Sequence, residues 1–117
     1  MTPQTEKLFA GSQVLDLTTT GRKSGLPRTV ELWFAYHEGY VYFLTGSTHW
    51  SRNLEAHPEA TLHVKRRMLR ARLEPLADPA GTKPRVTALF REKYGPQVVA
   101  QWYEGHDNLP VRLKVLP

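Results

Sequence analysis

Apolar and polar residues alternate with the period of a β-strand over much of the chain. Between residues 28 and 36, for example, Val30, Leu32 and Phe34 fall on one face of such a strand. Residues 40–45 are almost continuously apolar, which predicts a strand covered on both faces. The pattern predicts strands at residues 14–20, 28–36, 40–45, 60–64, 68–76 and 110–116.

Helical spacing replaces this alternation after residue 46. Four side chains recur there at intervals of three and four residues and so share one helical face: Trp50, Asn53, Leu54 and His57. Ser47 or Thr48 is expected to cap this helix, and Pro58 to end it. A second helix is predicted from Asp78-Pro79 or Thr82 to about Tyr94, and a third over residues 97–103 beyond the Gly95-Pro96 break.

Short strands joined by hairpins and one helical crossover indicate a mainly β fold. We predict a small closed barrel of six strands with about three short helices, because closure removes the exposed edges of an open sheet. A chain of 117 residues is long enough for one domain with its own core. We interpret residues 1–13 as a leader and residues 14–117 as that single domain.

The composition narrows the choice of partners. A net charge of +5 and a pI near 9.7 favour an anionic partner, which is a nucleic acid, an anionic lipid headgroup or a phosphorylated small molecule. The absence of cysteine excludes disulfides and thiol chemistry. We expect a cytoplasmic protein with no integral membrane segment, because no apolar run reaches spanning length and the start of the chain lacks a signal-peptide core.

The turn between the first two strands concentrates cations beside glycines. Its candidate residues for anion binding are Gly21, Arg22, Lys23, Ser24 and Arg28, closed by Gly25. A glycine-bracketed loop can direct successive N–H groups at one point, and arginine can grip phosphate oxygens with two hydrogen bonds. The residues alone leave two interpretations open, a phosphate site and a solvated hairpin tip.

A second candidate segment surrounds the start of the first predicted helix. Its candidate residues are Thr45, Gly46, Ser47, Trp50, Arg52 and Asn53. A glycine at the end of a strand permits close approach of a ligand, and a helix N-terminus offers unpaired N–H groups. For Trp50 by itself a place in the core is the preferred interpretation.

Other chemistries find less support. The basic segment Lys65-Arg66-Arg67, with Arg70 and Arg72, is interpreted as a solvated hairpin, because no nucleic-acid-binding motif accompanies it. The five histidines show no metal-ligand spacing, so no metal is expected. The chain also lacks a phosphate loop of the GxxxxGK[ST] type and a nucleophile elbow.

Three segments together resemble a known family. Residues 17–25 (LTTTGRKSG) followed by Pro27-Arg28 are similar to the opening hairpin of the deazaflavin (F420)-dependent nitroreductase family. Residues 50–58 (WSRNLEAHP) resemble that family's Trp-x-x-Asn-Leu helix, and residues 109–117 resemble its terminal strand. The family is a branch of the flavin/deazaflavin oxidoreductases, which have the split β-barrel of pyridoxamine 5′-phosphate oxidase.

The resemblance implies a homodimeric split barrel with a cofactor in a groove near the subunit interface. Arg22, Lys23, Ser24 and Arg28 would hold its phosphate-bearing tail. Thr45, Gly46 and Ser47 would lie along the tricyclic ring, and Trp50 and Asn53 would close the site.

The implied cofactor is coenzyme F420, with FMN as the alternative. The implied reaction is hydride transfer to a small conjugated or nitro-type acceptor. A carrier of flavin or haem without catalysis is a further alternative. Tyr42, His49 and Tyr103 are conceivable proton donors, although a packing or surface role is preferred for each, and no catalytic residue is assigned.

Overall fold

The computed structural model describes residues 3–117, which form seven strands and four helices. The strands are β1 (Val14–Thr20), β2 (Pro27–Trp33), β3 (Ala35–His37), β4 (Tyr40–Thr45), β5 (Glu59–Val64), β6 (Arg67–Leu73) and β7 (Leu109–Val115). The helices are α1 (Pro3–Ala10), α2 (His49–Ala56), α3 (Pro79–Tyr94) and α4 (Pro96–Trp102). The expectation of a mainly β fold is therefore confirmed, whereas the predicted counts of six strands and three helices are wrong.

Two local features account for the difference in counts. The predicted strand over residues 28–36 divides at Phe34, which separates β2 from β3. Residues 3–10, inside the segment interpreted as a leader, form helix α1. Its Phe9 is completely buried in the main core and its Leu8 packs against that core, so apolar contacts hold this helix to the sheet.

All seven strands form one antiparallel sheet in the order β2-β1-β5-β6-β7-β4-β3. In a flat sheet the two edge strands would lie about 29 Å apart, at about 4.8 Å per strand. In the chain, however, the edge strands β2 and β3 are joined by the single residue Phe34. The Cα atoms of its two neighbours, Trp33 and Ala35, are at most about 7 Å apart. The sheet must therefore curl until its edges adjoin, which produces a partly closed barrel.

The Tyr94 hydroxyl fixes the position at which the two edges meet. It accepts a hydrogen bond from the Phe34 N–H at 3.0 Å and lies 2.6 Å from the Gln13 carbonyl, to which it donates. The Trp33 ring stacks on the Tyr94 ring with centroids 4.7 Å apart. Burial raises the pKa of Tyr94 to about 12, so this hydroxyl keeps its proton at neutral pH.

The sheet encloses the main core on its concave side, and α3 and α4 cover the outside of β4. Val41 and Phe43 belong to the main core, whereas Leu44 belongs to a second cluster with Phe90 and Val99. The prediction that both faces of the strand at residues 40–45 are covered is confirmed. None of the helices in residues 3–117 is long and apolar enough to cross a membrane.

Candidate cofactor site

The loop between β1 and β2 is closed by its own backbone. The Gly21 N–H donates to the Leu26 carbonyl and the Gly25 N–H donates to the Gly21 carbonyl, each at 2.8 Å. Gly25 has φ of 73°, a conformation that favours glycine. A Cβ on Gly21 would come within 2.5 Å of Ser24 Oγ, so this glycine permits the close turn of the loop.

This closure uses several of the amides that were expected to form an anion nest. The Leu26 N–H donates to Ser24 Oγ at 3.2 Å, and the Arg22 N–H donates to Asn53 at 3.1 Å. Among the residues that the structure describes, the N–H groups of Lys23 and Ser24 have no protein acceptor. Anion contact at the loop tip is thus limited to these two amides and to the side chains.

Asn53 is the polar link between this loop and helix α2. Its side chain is 3% exposed, and its Oδ1 accepts from both the N–H and the Nη1 of Arg22, at 3.1 and 2.8 Å. Its Nδ2 donates to Thr19 Oγ1 at 3.3 Å. The guanidinium of Arg22 also lies 3.4 Å from the His49 carbonyl. Each polar atom of the buried amide therefore has a partner, and Arg22 is held in one orientation.

The strand register brings Arg28 to the same place. Arg28 lies opposite Thr19 in the pairing of β1 with β2, so both side chains leave the same face of the sheet. Thr19 in turn contacts Asn53. Arg22 and Arg28, which lie six residues apart on either side of the loop, are thereby brought together beside the buried Asn53 amide.

These residues surround an open cavity of about 520 Å³, called the loop cavity below. It is lined by Gly21, Arg22, Lys23, Ser24, Arg28, Thr29, Val30, His49, Trp50 and Asn53. Three of these side chains are cationic and none is a carboxylate. None of the ion pairs in residues 3–117 includes the three cations, so they are not neutralised by the protein itself.

Helix α2 begins where the sequence suggested, and its cap fixes the second wall of the loop cavity. The Ser51 N–H donates to the Thr48 side chain and the Thr48 N–H donates to Ser51, which forms a capping box. Trp50 lies in the first turn of this helix, and its ring packs against the Phe43 ring edge to face with centroids 5.3 Å apart. The preferred core interpretation of Trp50 is confirmed, and the same side chain also lines the loop cavity.

The remaining candidate residues lie on the other side of α2. Thr45, Gly46, Ser47 and Arg52 line a separate cavity of about 770 Å³, together with Lys83 and Asn108. The side chain of Asn108 is buried and donates to the Tyr103 carbonyl at 2.9 Å. In this single chain the two halves of the predicted site therefore face different cavities.

The sequence did not single out Thr19 and Thr29 as part of this site. The β1–β2 register is the signal that could have found Thr19, since it lies opposite the candidate Arg28. Of the three conceivable proton donors, Tyr42 and Tyr103 pack against the second core cluster, as was preferred for them. His49 alone lines the loop cavity, with its ring Nδ1 3.4 Å from the Arg22 guanidinium.

The third basic segment is a hairpin whose turn is remote from the loop, although its Arg70 lies nearer to it. Residues 65 and 66 form the turn between β5 and β6, at the other end of β5 from Glu59. Arg70 and Arg72 leave the outer face of β6, and each lies within 4 Å of the Glu59 carboxylate. Their charges are thus partly compensated, in contrast to those of the loop. Residues 3–117 contain no group of side chains that could hold a metal ion.

Comparison with known proteins decides the family. The sequence profile described as F420H(2)-dependent quinone reductase matches residues 2–115. The chain belongs to this family. It is therefore an oxidoreductase, and its cofactor is coenzyme F420. No protein with a curated functional description matches the sequence.

Solved structures share the fold at low sequence identity. The haem storage protein HutZ from Vibrio cholerae has a TM-score of 0.76 and 16% identity, over 98% of this chain and 89% of that protein. A structure described as an F420 reductase has a TM-score of 0.64 and 19% identity, over 96% and 93% of the two chains. An F420-H2 dependent reductase, FDR-A, has a TM-score of 0.61 and 21% identity, over 87% and 94%.

The loop cavity fits the phosphate-bearing part of this cofactor. Its lining offers Arg22, Lys23 and Arg28 without a competing carboxylate, together with the free N–H groups of the loop tip. Charge-assisted hydrogen bonds from arginine and lysine are the strongest that a protein makes to phosphate. Val30 and Trp50 add an apolar wall farther from the tip. This donor set suits a ligand with an anionic tail attached to a planar ring.

Proposed function

We propose that the loop cavity binds the phosphate-bearing tail of F420 and that the enzyme reduces a small conjugated acceptor, such as a quinone, an enone or a nitro compound. The observation that carries this proposal is the convergence of three cations, unpaired within the described chain, on one cavity without carboxylates. Reduced F420, when bound, supplies the hydride. The residues of the chain bind and orient the cofactor and the acceptor and exclude water from them, as is usual where a cofactor performs the difficult chemistry.

The cations have distinct tasks in this proposal. Arg22 is fixed by Asn53, so little side-chain entropy is lost when it meets a phosphate oxygen. Lys23 is exposed at the loop tip and acts as a mobile point charge. Arg28 approaches from β2 on the opposite side of the loop. His49 is exposed at the same cavity beside the Arg22 guanidinium, where its ring can hydrogen-bond the acceptor.

A homodimer accounts for the division of the candidate residues between two cavities. Helix α2 separates Thr45, Gly46 and Ser47 from the loop cavity of the same chain. We infer that these residues contact the ring where a second copy brings the two kinds of cavity together. Exposed apolar side chains of the sheet are available for such a contact, since Trp33 on β2 and Met68 on β6 are 37% and 69% exposed. Sedimentation velocity tests this directly, and a monomer with full F420 affinity would refute it.

The experiment that tests the phosphate assignment compares two double variants. Lys23→Ala/Arg28→Ala removes two charges from the loop cavity, and Arg66→Ala/Arg67→Ala removes two exposed charges from the turn of the β5–β6 hairpin, at the far end of β5 from the loop. Two lost charge-assisted contacts are worth about 2–3 kcal/mol in all at a partly exposed site. The loop variant should therefore weaken F420 binding about 30- to 150-fold, and the matched control less than about threefold. Equal affinity of the loop variant and the wild type would show that the phosphate lies elsewhere.

Titration with FMN, whose phosphate would also suit these cations, is the control for cofactor choice. Because the family is F420-dependent, FMN should bind more weakly than F420. The acceptor class is then obtained by following F420 oxidation with a benzoquinone, a naphthoquinone, an enone and a nitroaromatic compound. Tight F420 binding with no turnover of any of these acceptors would contradict the proposed acceptor class.

A further inference from the structure

A third cavity of the molecule contains an amine that the proposed reaction does not use. It lies between α1, β3 and α3, has a volume of about 460 Å³, and is open to solvent. Its lining includes Glu6, Phe9, Tyr36, Glu38, Glu92 and Lys93, none of which lines the loop cavity. We call it the Lys93 cavity.

The Lys93 side chain has an unusual position for a lysine. Its Nζ lies 3.4 Å from the centroid of the Phe34 ring and 3.4 Å from the Phe9 carbonyl oxygen. No ion pair of residues 3–117 includes it, although carboxylates lie around the same cavity. An amine thus sits on an aromatic floor, partly removed from water and beside an opening large enough for a small molecule.

We propose that Lys93 is a covalent acceptor for small neutral aldehydes. The unprotonated Nζ forms a bond to the carbonyl carbon, and one of its two hydrogens is transferred as a proton to the carbonyl oxygen. The carbinolamine then loses this hydroxyl as water, whose second hydrogen is the remaining proton of Nζ, and a neutral imine remains. The step involves no oxidation and needs no further reactant.

Burial supports the availability of the neutral amine. It lowers the pKa of Lys93 to about 8, because the charged form is poorly solvated there. At pH 7.5 about a quarter of such an amine is unprotonated, against about a thousandth at the ordinary lysine pKa. Desolvated lysines are activated as nucleophiles in this way. Loss of the proton also removes the attraction to the Phe34 ring and frees Nζ to enter the cavity.

The charges around the opening determine which aldehydes can enter. The titratable groups that line it or contact Lys93 are Glu6 on α1, Tyr36, His37 and Glu38 at β3 and its turn, and Glu92 and Tyr94 on α3. Three carboxylates at the rim repel an anionic electrophile, whereas a neutral one is not opposed. Phe9 and Leu89 offer apolar contact to a short alkyl chain.

The test is a competition among the six lysines of the intact protein. The protein is treated briefly with propanal and cyanoborohydride at pH 7.5, and the reduced adducts are located by mass spectrometry after cleavage at glutamate. Lys7 and Lys114 are exposed and serve as internal references. We expect Lys93 to be labelled at least tenfold faster than either. Labelling of Lys93 at or below the rate of these references would overturn the proposal.

A second arm tests the charge of the rim. The ratio of labelling at Lys93 to labelling at Lys7 should be at least threefold lower with glyoxylate, an anionic aldehyde, than with propanal. Glu6→Gln/Glu92→Gln should restore the ratio for glyoxylate to that for propanal. Equal use of both aldehydes by the unaltered protein would refute the role of the carboxylates. All of these readouts are independent of F420 binding, so they remain informative if the proposed function fails.

Discussion

The buried amide of Asn53 offers the sharpest test of how the loop is attached to the barrel. Asn53→Leu replaces this amide by an apolar side chain of similar volume, so the cavity term is small. The change removes the acceptor of the Arg22 N–H and of its Nη1, and the donor to Thr19. The loop then has no side-chain anchor on α2.

The expected cost follows from these three hydrogen bonds. The bonds to the Arg22 N–H and to Thr19 are worth about 1 kcal/mol each, because both are made by a buried amide. The guanidinium of Arg22 is partly exposed and can turn to water, so its bond adds only about 0.5–1 kcal/mol. We expect the free energy of unfolding to fall by about 2–3 kcal/mol.

The measurement is urea denaturation followed by tryptophan fluorescence. The slope of the unfolding free energy against urea concentration should be the same for the variant and the wild type. Arg52→Leu is the matched control, because Arg52 is the preceding residue of the same helix but is exposed and faces the other cavity. It should alter stability by less than about 0.5 kcal/mol. A loss below 0.5 kcal/mol for Asn53→Leu, or equal losses for the two variants, would show that the amide does not anchor the loop.

Three further predictions concern the closure of the barrel, the pH dependence of stability due to Lys93, and the loop tip. Tyr94→Phe leaves the Phe34 N–H and the Gln13 carbonyl without their partner, so it should cost about 2 kcal/mol in urea denaturation, and a cost near zero would contradict the closure mechanism. Because the folded pKa of Lys93 is lowered to about 8, this amine binds more protons in the unfolded chain between pH 8 and 10.5, and its own contribution to stability rises with pH there. The Phe34 ring favours the ammonium and the site is partly exposed, so we expect about 0.5 kcal/mol per pH unit between pH 8 and 9.5 in thermal melts. Lys93→Met should abolish this rise, and parallel pH curves for the two proteins would refute it. The window ends below pH 10 because the raised pKa of Tyr94 makes stability fall from there upward. Gly25→Ala should destabilise the loop by about 1 kcal/mol, since φ of 73° strains any residue with a Cβ, and an unchanged melting temperature would argue against that conformation.

Local patterns were sufficient for most elements of the fold. Alternation located the strands to within a few residues, because a half-buried strand imposes a period of two on its own sequence. The helical face of Trp50, Asn53 and Leu54 is buried as predicted, whereas His57 lies beyond the last turn and is exposed. The basic, glycine-bracketed loop was also recognisable from the sequence, since the glycines that permit its turn and the cations that attract an anion are properties of the loop residues themselves.

Tertiary contacts decided the features that the sequence did not predict. The division between β2 and β3 at Phe34 depends on a hydroxyl 60 residues away, and no local pattern contains that partner. Helix α1 has few apolar residues and too few turns to be stable alone, so the burial of Phe9 determines its presence.

The loop Gly21–Arg28 shows the same division within the site. The sequence by itself determined its charge, its glycines and its family motif. Only the folded chain placed Arg28 opposite Thr19, joined Arg22 to Asn53, and set helix α2 between this loop and Thr45. The physical reason is that charge and backbone freedom belong to single residues, whereas convergence on one cavity depends on strand register and helix packing between distant parts of the chain.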